Sequence, residues 1–429
     1  MKYLLACYGT RGDVEPGAAV GRELARRGHE VCIAVPPDLV DFAQSAGLEA
    51  VAYGLETEAW LDAYRNVWVS MFRNSWRIQD LHKARSELLE QVDRCWEQVT
   101  TPLRSLADGA ELLFTGLSFQ QAALNIAEYY DIPLVTFHYH PVHANGQLVP
   151  FLPGALGRSA MRVDQWLSWR MGAKKKDDAQ RRELGLPKAT GPVPWRIADR
   201  GFLEIQAYDD ICFPGLAAEW MKWDGQRPFV GALTMELPTD ADEEAASWIA
   251  EGTPPIFFGF GSTPLDSPAD TVAMISEVCA QLGERALVSA CWGDMNDVPE
   301  SDHVKVVGEV NFAAVFPACR AVVHHGGSGT TAIGLRAGVP TLILWTMADQ
   351  PIWGGAVKRL RVGTARRFSA TTEKSLLADL RTILDGRYTD RAREVASRMT
   401  KPAESVAAAA DLLEEQARLR VIDRRRPSR

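Results

Sequence analysis

The residues with the clearest chemical potential are two histidines and the glycine-rich turn after them, His324-His325-Gly326-Gly327-Ser328-Gly329-Thr330-Thr331. The apolar run that ends at Val323 predicts a buried parallel strand, and a helix is predicted from Thr330 to Ala337. A helix that begins at the end of such a strand presents unpaired N–H groups and the positive end of its dipole, which suits a phosphate. Glycines let the backbone approach that group closely, and the hydroxyls supply donors. The stretch therefore predicts a phosphate-binding turn, although an ordinary strand–helix connection has the same composition.

A second group of reactive residues lies near the start of the chain, in Gly9-Thr10-Arg11-Gly12-Asp13. It follows a predicted strand, Tyr3 to Tyr8, and precedes a predicted helix, Gly17 to Arg27. The glycine spacing is not G-x-G-x-x-G, so a dinucleotide-dependent dehydrogenase is not indicated. Asp13 could act as a general base, or it could simply cap the helix that follows.

The turn and its surroundings resemble the nucleotide-sugar box of GT-B glycosyltransferases, in the branch that holds the antibiotic and sterol glycosyltransferases. Asp349-Gln350 resembles the acidic–amide pair that binds the donor sugar's hydroxyls in that family. The opening G-T-R-G-D and the segment V-G-A-L-T-M-E-L at 230–237 look closest to actinobacterial, including mycobacterial, enzymes that glycosylate cell-envelope glycolipids.

The resemblance implies a role for each matching residue. Asp13 matches the catalytic base. The donor-binding set that the resemblance implies is Thr10, Arg11, Gly12, Ser262, Val307, His325, Gly326, Gly327, Ser328, Gly329, Thr330, Asp349 and Gln350. Plant relatives carry a stacking tryptophan where Val307 stands, so backbone contacts to the base are expected there. They also carry a ribose-binding glutamate where this chain has Ile333, which favours a dTDP-sugar while leaving a UDP-sugar open.

Five aromatic residues recur every four positions, namely Trp60, Tyr64, Trp68, Phe72 and Trp76. On a helix they cover a broad face, with arginines between them. That pattern is typical of an acceptor pocket or a membrane-surface helix, and Trp68, Phe72 and Trp76 are our candidate acceptor contacts. A helix packed on its own domain explains the pattern equally well.

His138-Tyr139-His140-Pro141-Val142-His143 places three histidines after another predicted strand, Leu134 to Phe137. His138 and His140 are candidate acceptor contacts. A metal site is disfavoured because no acidic or cysteine ligand accompanies the histidines in sequence. Farther along, the segment Trp166 to Lys176 could contact either membrane or solvent.

Composition narrows the class of protein. The 429 residues carry a net charge of −8, which argues against a nucleic-acid partner. Seven scattered cysteines without C-x-x-C spacing favour a reducing compartment. No apolar run has the length of a signal peptide core or a membrane span. We therefore expect a cytoplasmic protein, with peripheral contact to the inner face of the plasma membrane as an option.

These observations predict an α/β protein of GT-B architecture, with two Rossmann-like parallel-sheet domains facing across a cleft. The expected segments are an acceptor domain (1–214), a linker (215–242), a nucleotide-sugar domain (243–401), a terminal helix that returns to the first domain (402–418) and a basic tail (419–429). The expected activity is inverting transfer of a hexose or 6-deoxyhexose to a hydroxyl of a lipid-like acceptor, without metal or cofactor. A nucleotide-sugar epimerase of the same fold and a catalytically silent glycolipid-binding module remain alternatives.

Overall fold

The computed structural model describes residues 1–57, 78–148, 153–223, 225–261, 267–289, 301–346 and 349–425. The chain forms two compact units. The first comprises Met1–Ala207, Leu216–Leu233 and Ala403–Arg429, and the second comprises Tyr208–Gly215 and Thr234–Pro402. The segment that we expected to be a linker, 215–242, is therefore divided between the two units.

The first unit is built on a six-stranded parallel sheet. Its strands are β1 (Lys2–Ala6), β2 (Glu30–Val35), β3 (Glu49–Ala52), β4 (Leu112–Thr115), β5 (Leu134–His138) and β6 (Leu203–Gln206). The strand order is β3-β2-β1-β4-β5-β6. The order reverses between β1 and β4, and sheets of this kind bind ligands beside the carboxyl ends of the strands at such a reversal. The turn that contains Asp13 follows β1, so it lies at this position.

Helices cover the sheet on both faces, so its central strands β4 and β5 are buried along their whole length. The described helices of the first unit are α1 (Arg11–Arg26), α2 (Val40–Ser45), α3 (Ile78–Leu106), α4 (Gln120–Tyr130), α5 (Gly154–Ser168), α6 (Lys174–Glu183), α7 (Val193–Asp199) and α8 (Leu216–Glu219). Helix α1 begins six residues before the predicted Gly17. The early start has a local cause, since Thr10 and Asp13 cap each other reciprocally and the helix tolerates Pro16 in its second turn.

The second unit repeats this topology. Its strands are β7 (Ile256–Gly259), β8 (Ala286–Ser289), β9 (Val304–Val307), β10 (Ala321–His324), β11 (Thr341–Trp345) and β12 (Gly363–Arg367), in the order β12-β11-β10-β7-β8-β9. Its described helices are α9 (Asp242–Ala250), α10 (Pro268–Leu282), α11 (Phe312–Val315), α12 (Ser328–Ala337), α13 (Gln350–Leu360), α14 (Glu373–Ile383) and α15 (Gly386–Ala396). Two parallel six-stranded sheets with flanking helices confirm the predicted fold class.

The last described helix, α16 (Pro402–Arg425), belongs mainly to the first unit. Its buried side chains recur on one face, at Ala409, Ala410, Leu413 and Ala417. At its edge, Glu414 Oε1 lies 2.8 Å from His29 Nε2. The helix runs past the predicted end at 418 into the predicted basic tail, because no proline or glycine interrupts it before Pro427. No helix in the described ranges has the length and apolar content required to cross a bilayer.

Candidate active site

The turn after β1 folds the Asp13 carboxylate back onto the backbone. Gly9 has φ +139°, and a Cβ on Gly9 would lie 2.3 Å from Asp13 Oδ2, so the close approach requires glycine. The Thr10 N–H donates to Asp13 Oδ2 at 2.8 Å, and the Thr10 hydroxyl donates to the same oxygen at 3.1 Å. Asp13 therefore does help to cap α1, but the N-cap residue is Thr10 and Asp13 is the third residue of the helix.

The other oxygen of Asp13 has a partner that the sequence did not reveal. The Tyr139 hydroxyl, just beyond the end of β5, donates to Asp13 Oδ1 at 2.8 Å. Burial raises the pKa of Asp13, and the hydrogen bonds from Tyr139 and Thr10 partly offset that rise. One oxygen thus serves helix capping, while the other accepts from a single described donor and, as a carboxylate oxygen, can accept a second hydrogen bond. The only signal for Tyr139 was its place after a strand of the same predicted sheet.

Arg11 and Gly12 occupy the first turn of α1 beside Asp13. The Arg11 guanidinium lies 4.8 Å from the ring centroid of Phe42, and its Nε lies 3.6 Å from Glu15 Oε2. Gly12 is exposed, and among the described residues a Cβ there would meet only the Thr10 hydroxyl within 4 Å, at 3.8 Å. The structure therefore brings Thr10, Arg11, Gly12 and Asp13 together at one helix N-terminus.

The two candidate acceptor histidines lie in different surroundings. His138 is 1 % exposed, and its two ring nitrogens lie 3.3 Å and 3.5 Å from the amide nitrogens of Gln120 and Gln206. Burial lowers the pKa of His138 well below its usual value and leaves little imidazole surface for an acceptor. His140 is half-buried, and burial lowers its pKa to about 4, so it is neutral at pH 7.

The third histidine of this motif belongs to a buried ionic cluster. His143 Nε2 contacts Glu204 Oε2, and Arg227 Nε donates to Glu204 Oε1 at 3.0 Å. His138, His143 and Glu204 are close enough together to be considered as ligands of one metal ion. The sequence argument that no acid accompanies the histidines was therefore wrong, because β6 supplies Glu204 from a distant part of the chain. Arg227 already neutralises that carboxylate, so the donor set fits a buried ion pair better than a cation site.

In the second unit, the turn after β10 is shaped by its first histidine and a glycine. The Gly326 N–H donates to His324 Nδ1 at 3.0 Å, and burial lowers the pKa of His324 well below its usual value. Gly326 has φ +96°, and a Cβ there would lie 2.7 Å from Ile343 Cγ2. The turn can therefore form only with glycine at this position.

His325 lies at the reversal in strand order, because β10 and β7 are neighbours there. A Cβ on Gly261, after β7, would lie 2.9 Å from His325 Cε1, and one on Gly327 would lie 2.6 Å from His325 Nε2. Burial lowers the pKa of His325 to about 4, while a hydrogen bond with the Gly259 backbone acts in the opposite direction. Within the described part of the chain, its buried Nδ1 has no hydrogen-bond partner.

Helix α12 starts directly after this histidine. Gly327 is its N-cap, and the Thr331 N–H is the first to donate within the helix, to the Gly327 carbonyl at 2.9 Å. The N–H groups of Ser328, Gly329 and Thr330 therefore have no acceptor inside the helix. A Cβ on Gly329 would meet no atom of the described residues within 4 Å.

The acidic–amide pair lies beside the same turn. Asp349 precedes helix α13, and a Cβ on Gly326 would lie 3.3 Å from Gln350 Cβ. Gln350 Oε1 accepts hydrogen bonds from the Thr346 N–H at 2.7 Å and from the Thr346 hydroxyl at 3.0 Å. These bonds fix the orientation of the Gln350 amide, and Gln350 lies beside the glycine-rich turn that follows β10.

The expected nucleoside-binding positions are apolar. Val307 is 4 % exposed and belongs to a core cluster with Val310 and Phe316, against which Ile333 packs. The Val307 side chain is therefore committed to the core, and only its backbone can reach a ligand. Other predicted site residues lie outside the described ranges, namely Ser262, Trp68, Phe72 and Trp76.

Comparisons with known proteins agree with this geometry. Residues 3–99 match the glycosyltransferase family 28 N-terminal domain, and residues 269–414 match the erythromycin biosynthesis protein CIII-like C-terminal domain. An uncharacterised glycosyltransferase of Mycobacterium leprae is 59% identical, with 97% of each chain covered. The glycosyltransferase GtfE of Amycolatopsis orientalis is 30% identical over 96% of this chain and 97% of its own.

Solved structures show the same fold at low sequence identity. The glycosyltransferase of kitacinnamycin has a TM-score of 0.69 at 19% identity, covering 97% of this chain and 98% of its own. The glycosyltransferase VinC, solved in complex with dTDP, has a TM-score of 0.64 at 18% identity, covering 98% and 100%. The predictions of a GT-B fold and of a sugar transferase are confirmed, and the chain belongs to the GT-B glycosyltransferases, close to mycobacterial and antibiotic glycosyltransferases.

Proposed function

We propose that the chain transfers a hexose or 6-deoxyhexose from a nucleotide diphosphate sugar to a hydroxyl of a lipid-like acceptor, with inversion at the anomeric carbon. The observation that carries this proposal is the half-buried Asp13 carboxylate, whose Oδ1 has one described donor, Tyr139, and can accept a second hydrogen bond. A carboxylate with a raised pKa is a better base than an exposed one, and an acceptor hydroxyl is the natural second donor.

In the proposed reaction, the acceptor oxygen attacks the anomeric carbon as its proton passes to Asp13 Oδ1. The new carbon–oxygen bond forms while the bond to the diphosphate breaks, and the electron pair leaves with the diphosphate. The free N–H groups of Ser328, Gly329 and Thr330 stabilise the developing negative charge, as preorganised donors do in other enzymes. A bound diphosphate would also favour the protonated form of His325, whose Nδ1 lacks a described partner.

The donor that we favour is a dTDP-sugar, with a UDP-sugar as the second choice. Ile333 packs in an apolar cluster, so it offers no hydrogen-bond acceptor to a ribose 2′-hydroxyl. The relative VinC was solved with dTDP, which supports the same choice. Asp349 and Gln350 would hold the sugar hydroxyls, and Thr10, Arg11 and Gly12 the donor phosphates.

The acceptor that we favour is a glycolipid such as a glycopeptidolipid or a phenolic glycolipid. Support comes from the sequence resemblance to enzymes of cell-envelope glycolipids and from the five aromatic residues between Trp60 and Trp76. His140, half-buried in the loop that carries Tyr139, is the remaining described candidate for an acceptor contact. We place the reaction in the cytoplasm, at the inner face of the plasma membrane.

The Asp13→Asn variant tests the base. It keeps the size of the side chain and an oxygen that can cap the helix but removes the proton acceptor. We expect kcat to fall about 100-fold or more, with nucleotide affinity kept. Asp41→Asn, at an exposed position in α2, is the matched control and should leave kcat unchanged. Turnover of Asp13→Asn at the wild-type rate would show that Asp13 only caps the helix, and NMR of the product's anomeric proton reports inversion directly.

The Asp349→Ala variant tests the donor pair. It should weaken binding of the nucleotide sugar while leaving the affinity for free dTDP or UDP nearly unchanged, because its proposed contacts are to sugar hydroxyls. Calorimetric titration of both ligands measures the difference. An equal loss of affinity for nucleotide and nucleotide sugar would assign Asp349 a structural role at the N-terminus of α13.

A further inference from the structure

Helix α5 exposes an apolar surface to solvent. Nine large hydrophobic side chains are exposed in the described part of the chain, and five of them lie between Leu156 and Met171. The five are Leu156, Val163, Trp166, Leu167 and Met171, whose exposed fractions are 57%, 57%, 43%, 42% and 83%. Exposed hydrophobic side chains scattered singly need no explanation, but four on one helix, with Met171 three residues beyond its end, do.

The opposite side of α5 holds the helix on the first unit. Gly157 is buried, the Asn145 N–H donates to Met161 Sδ at 3.4 Å, and Gln165 Nε2 donates to the Val142 carbonyl at 3.0 Å. These three helix positions are spaced by four residues and therefore share one face. At 100° per residue, Leu156, Val163, Trp166 and Leu167 project to the other side. An ordinary surface helix turns its apolar side towards the core, whereas α5 presents these four apolar side chains to solvent.

Positive charge accompanies the apolar surface. Residues 154–176 contain six lysines and arginines but one acidic residue, Asp164, whereas the whole chain has a net charge of −8. Three of the cations are paired, since Arg158 contacts Glu219, Lys174 contacts Asp178 and Lys176 contacts Asp93.

The other three cations, Arg162, Arg170 and Lys175, are exposed and have no ion-pair partner within the described ranges.

We propose that this outward face (Leu156, Val163, Trp166, Leu167 and Met171 with Arg162 and Arg170) docks on a bilayer that contains anionic lipid. Apolar side chains with a tryptophan and flanking cations are what an interfacial helix requires. Each cation near an anionic membrane adds to the attraction. A symmetric dimer through the same face would bring Arg162 and Arg170 against their own copies, with Asp164 as the single counter-charge in the segment.

The inward side of α5 connects this face to the proposed reaction. Met161 and Gln165 contact Asn145 and Val142, in the loop that begins with Tyr139, the partner of Asp13. Helix α5 would therefore lie between a docked bilayer and the loop that contains Tyr139, the hydrogen-bond partner of the proposed base. The purpose of docking rests on the proposed lipid acceptor, but the docking itself can be measured without donor or acceptor.

Sedimentation with vesicles tests the proposal on the full chain. One set of vesicles is phosphatidylcholine alone, and the other adds phosphatidylglycerol. We expect binding to the anionic vesicles that weakens as salt is raised. Trp166→Ser with Leu167→Ser, and separately Arg162→Glu with Arg170→Glu, should each lower the partition coefficient at least about tenfold. Leu419→Ser, at a side chain 52% exposed on α16, and Arg381→Glu with Arg398→Glu, in the second unit, are the matched controls and should bind as wild type does.

Melting curves establish that each variant is folded, because all substituted side chains are exposed. Absence of vesicle binding by the wild type, or equal binding by the face and control variants, would overturn the proposal. The proposal would also be overturned, in favour of self-association, if sedimentation velocity showed a wild-type dimer and the Trp166 and Leu167 substitutions dissociated that dimer. Sugar transfer to a short-chain soluble acceptor separates membrane docking from the proposed function. The variants of the outward face should keep this transfer. If the wild type does not transfer sugar to that acceptor, the result counts against the proposed function alone.

Discussion

At the residue scale, the candidate base depends on two opposing effects. Burial favours the protonated form of Asp13, and hydrogen bonds from Thr10 and Tyr139 favour the carboxylate. The balance determines the pH above which the base is available. Burial lowers the pKa of His140 and of His325 to about 4, which makes each imidazole a weaker base than usual, whereas burial raises the pKa of Asp13.

The Tyr139→Phe variant separates positioning from structure. Loss of the hydroxyl removes a bond that lowers the pKa of Asp13, so that pKa should rise further. Activity requires the carboxylate, so the acidic limb of the kcat–pH profile should move to higher pH, and kcat at pH values on that limb should fall.

Tyr130→Phe is the matched control, because it removes a hydroxyl that donates to the Arg104 carbonyl at 2.9 Å, away from Asp13. Its acidic limb should stay where the wild-type limb is. A lower kcat in Tyr139→Phe with an unmoved limb would mean that Tyr139 only supports the loop.

At the element scale, the relevant feature is the N-terminus of α12. The helix begins immediately after a strand, and glycines at 326 and 327 allow the turn to pass closely around His325 and Ile343. Three successive N–H groups then point away from the helix with the positive end of its dipole. Any anion that binds there is stabilised by several donors at once.

Gly329→Ala tests whether a diphosphate occupies this N-terminus. A Cβ at 329 meets no atom of the described residues within 4 Å, so the melting temperature should be kept or rise slightly. Affinity for dTDP should nonetheless fall, because the added methyl group would occupy ligand space. Calorimetric titration measures the affinity.

Gly355→Ala serves as the control, since its Cβ is also free of contacts but lies within α13. It should gain up to about 1 kcal/mol of stability and keep its nucleotide affinity. Unchanged dTDP binding by Gly329→Ala would place the diphosphate elsewhere.

At the scale of the whole molecule, the chain uses one topology twice and returns to its first unit at the end. Helix α16 contributes Leu413 to the interior of that unit and pairs Glu414 with His29. The hydrogen bond from His29 lowers the pKa of Glu414, so this pairing is present at neutral pH. The terminal helix is therefore a structural part of the first unit.

Leu413→Ala should destabilise the protein by about 2–5 kcal/mol, because the side chain is completely buried and its removal leaves a cavity. Leu419→Ala, on the same helix but 52% exposed, should change stability by less than about 0.5 kcal/mol. Urea unfolding followed by circular dichroism measures both. Similar midpoints for the two variants would mean that α16 contributes little to the stability of the first unit.

The sequence by itself determined the fold class and the strand–glycine turn–helix unit around His325. Parallel strands buried on both faces appear as continuous apolar runs, and the glycines of the turn are required by backbone geometry. Both features are local, so a reader of the sequence can find them. The early start of α1 was missed, although its cause, the reciprocal capping of Thr10 and Asp13, is also local.

Only the tertiary structure decided which distant residues meet. Tyr139 and Asp13 are 126 positions apart, and Glu204 reaches His143 from another strand. Parallel strands bring their carboxyl ends to one edge of the sheet, but which side chains touch there depends on register and loop path, which the sequence pattern does not encode locally. The outward face of α5 was equally hidden, because periodicity shows that a helix has an apolar side but not which side its neighbours cover.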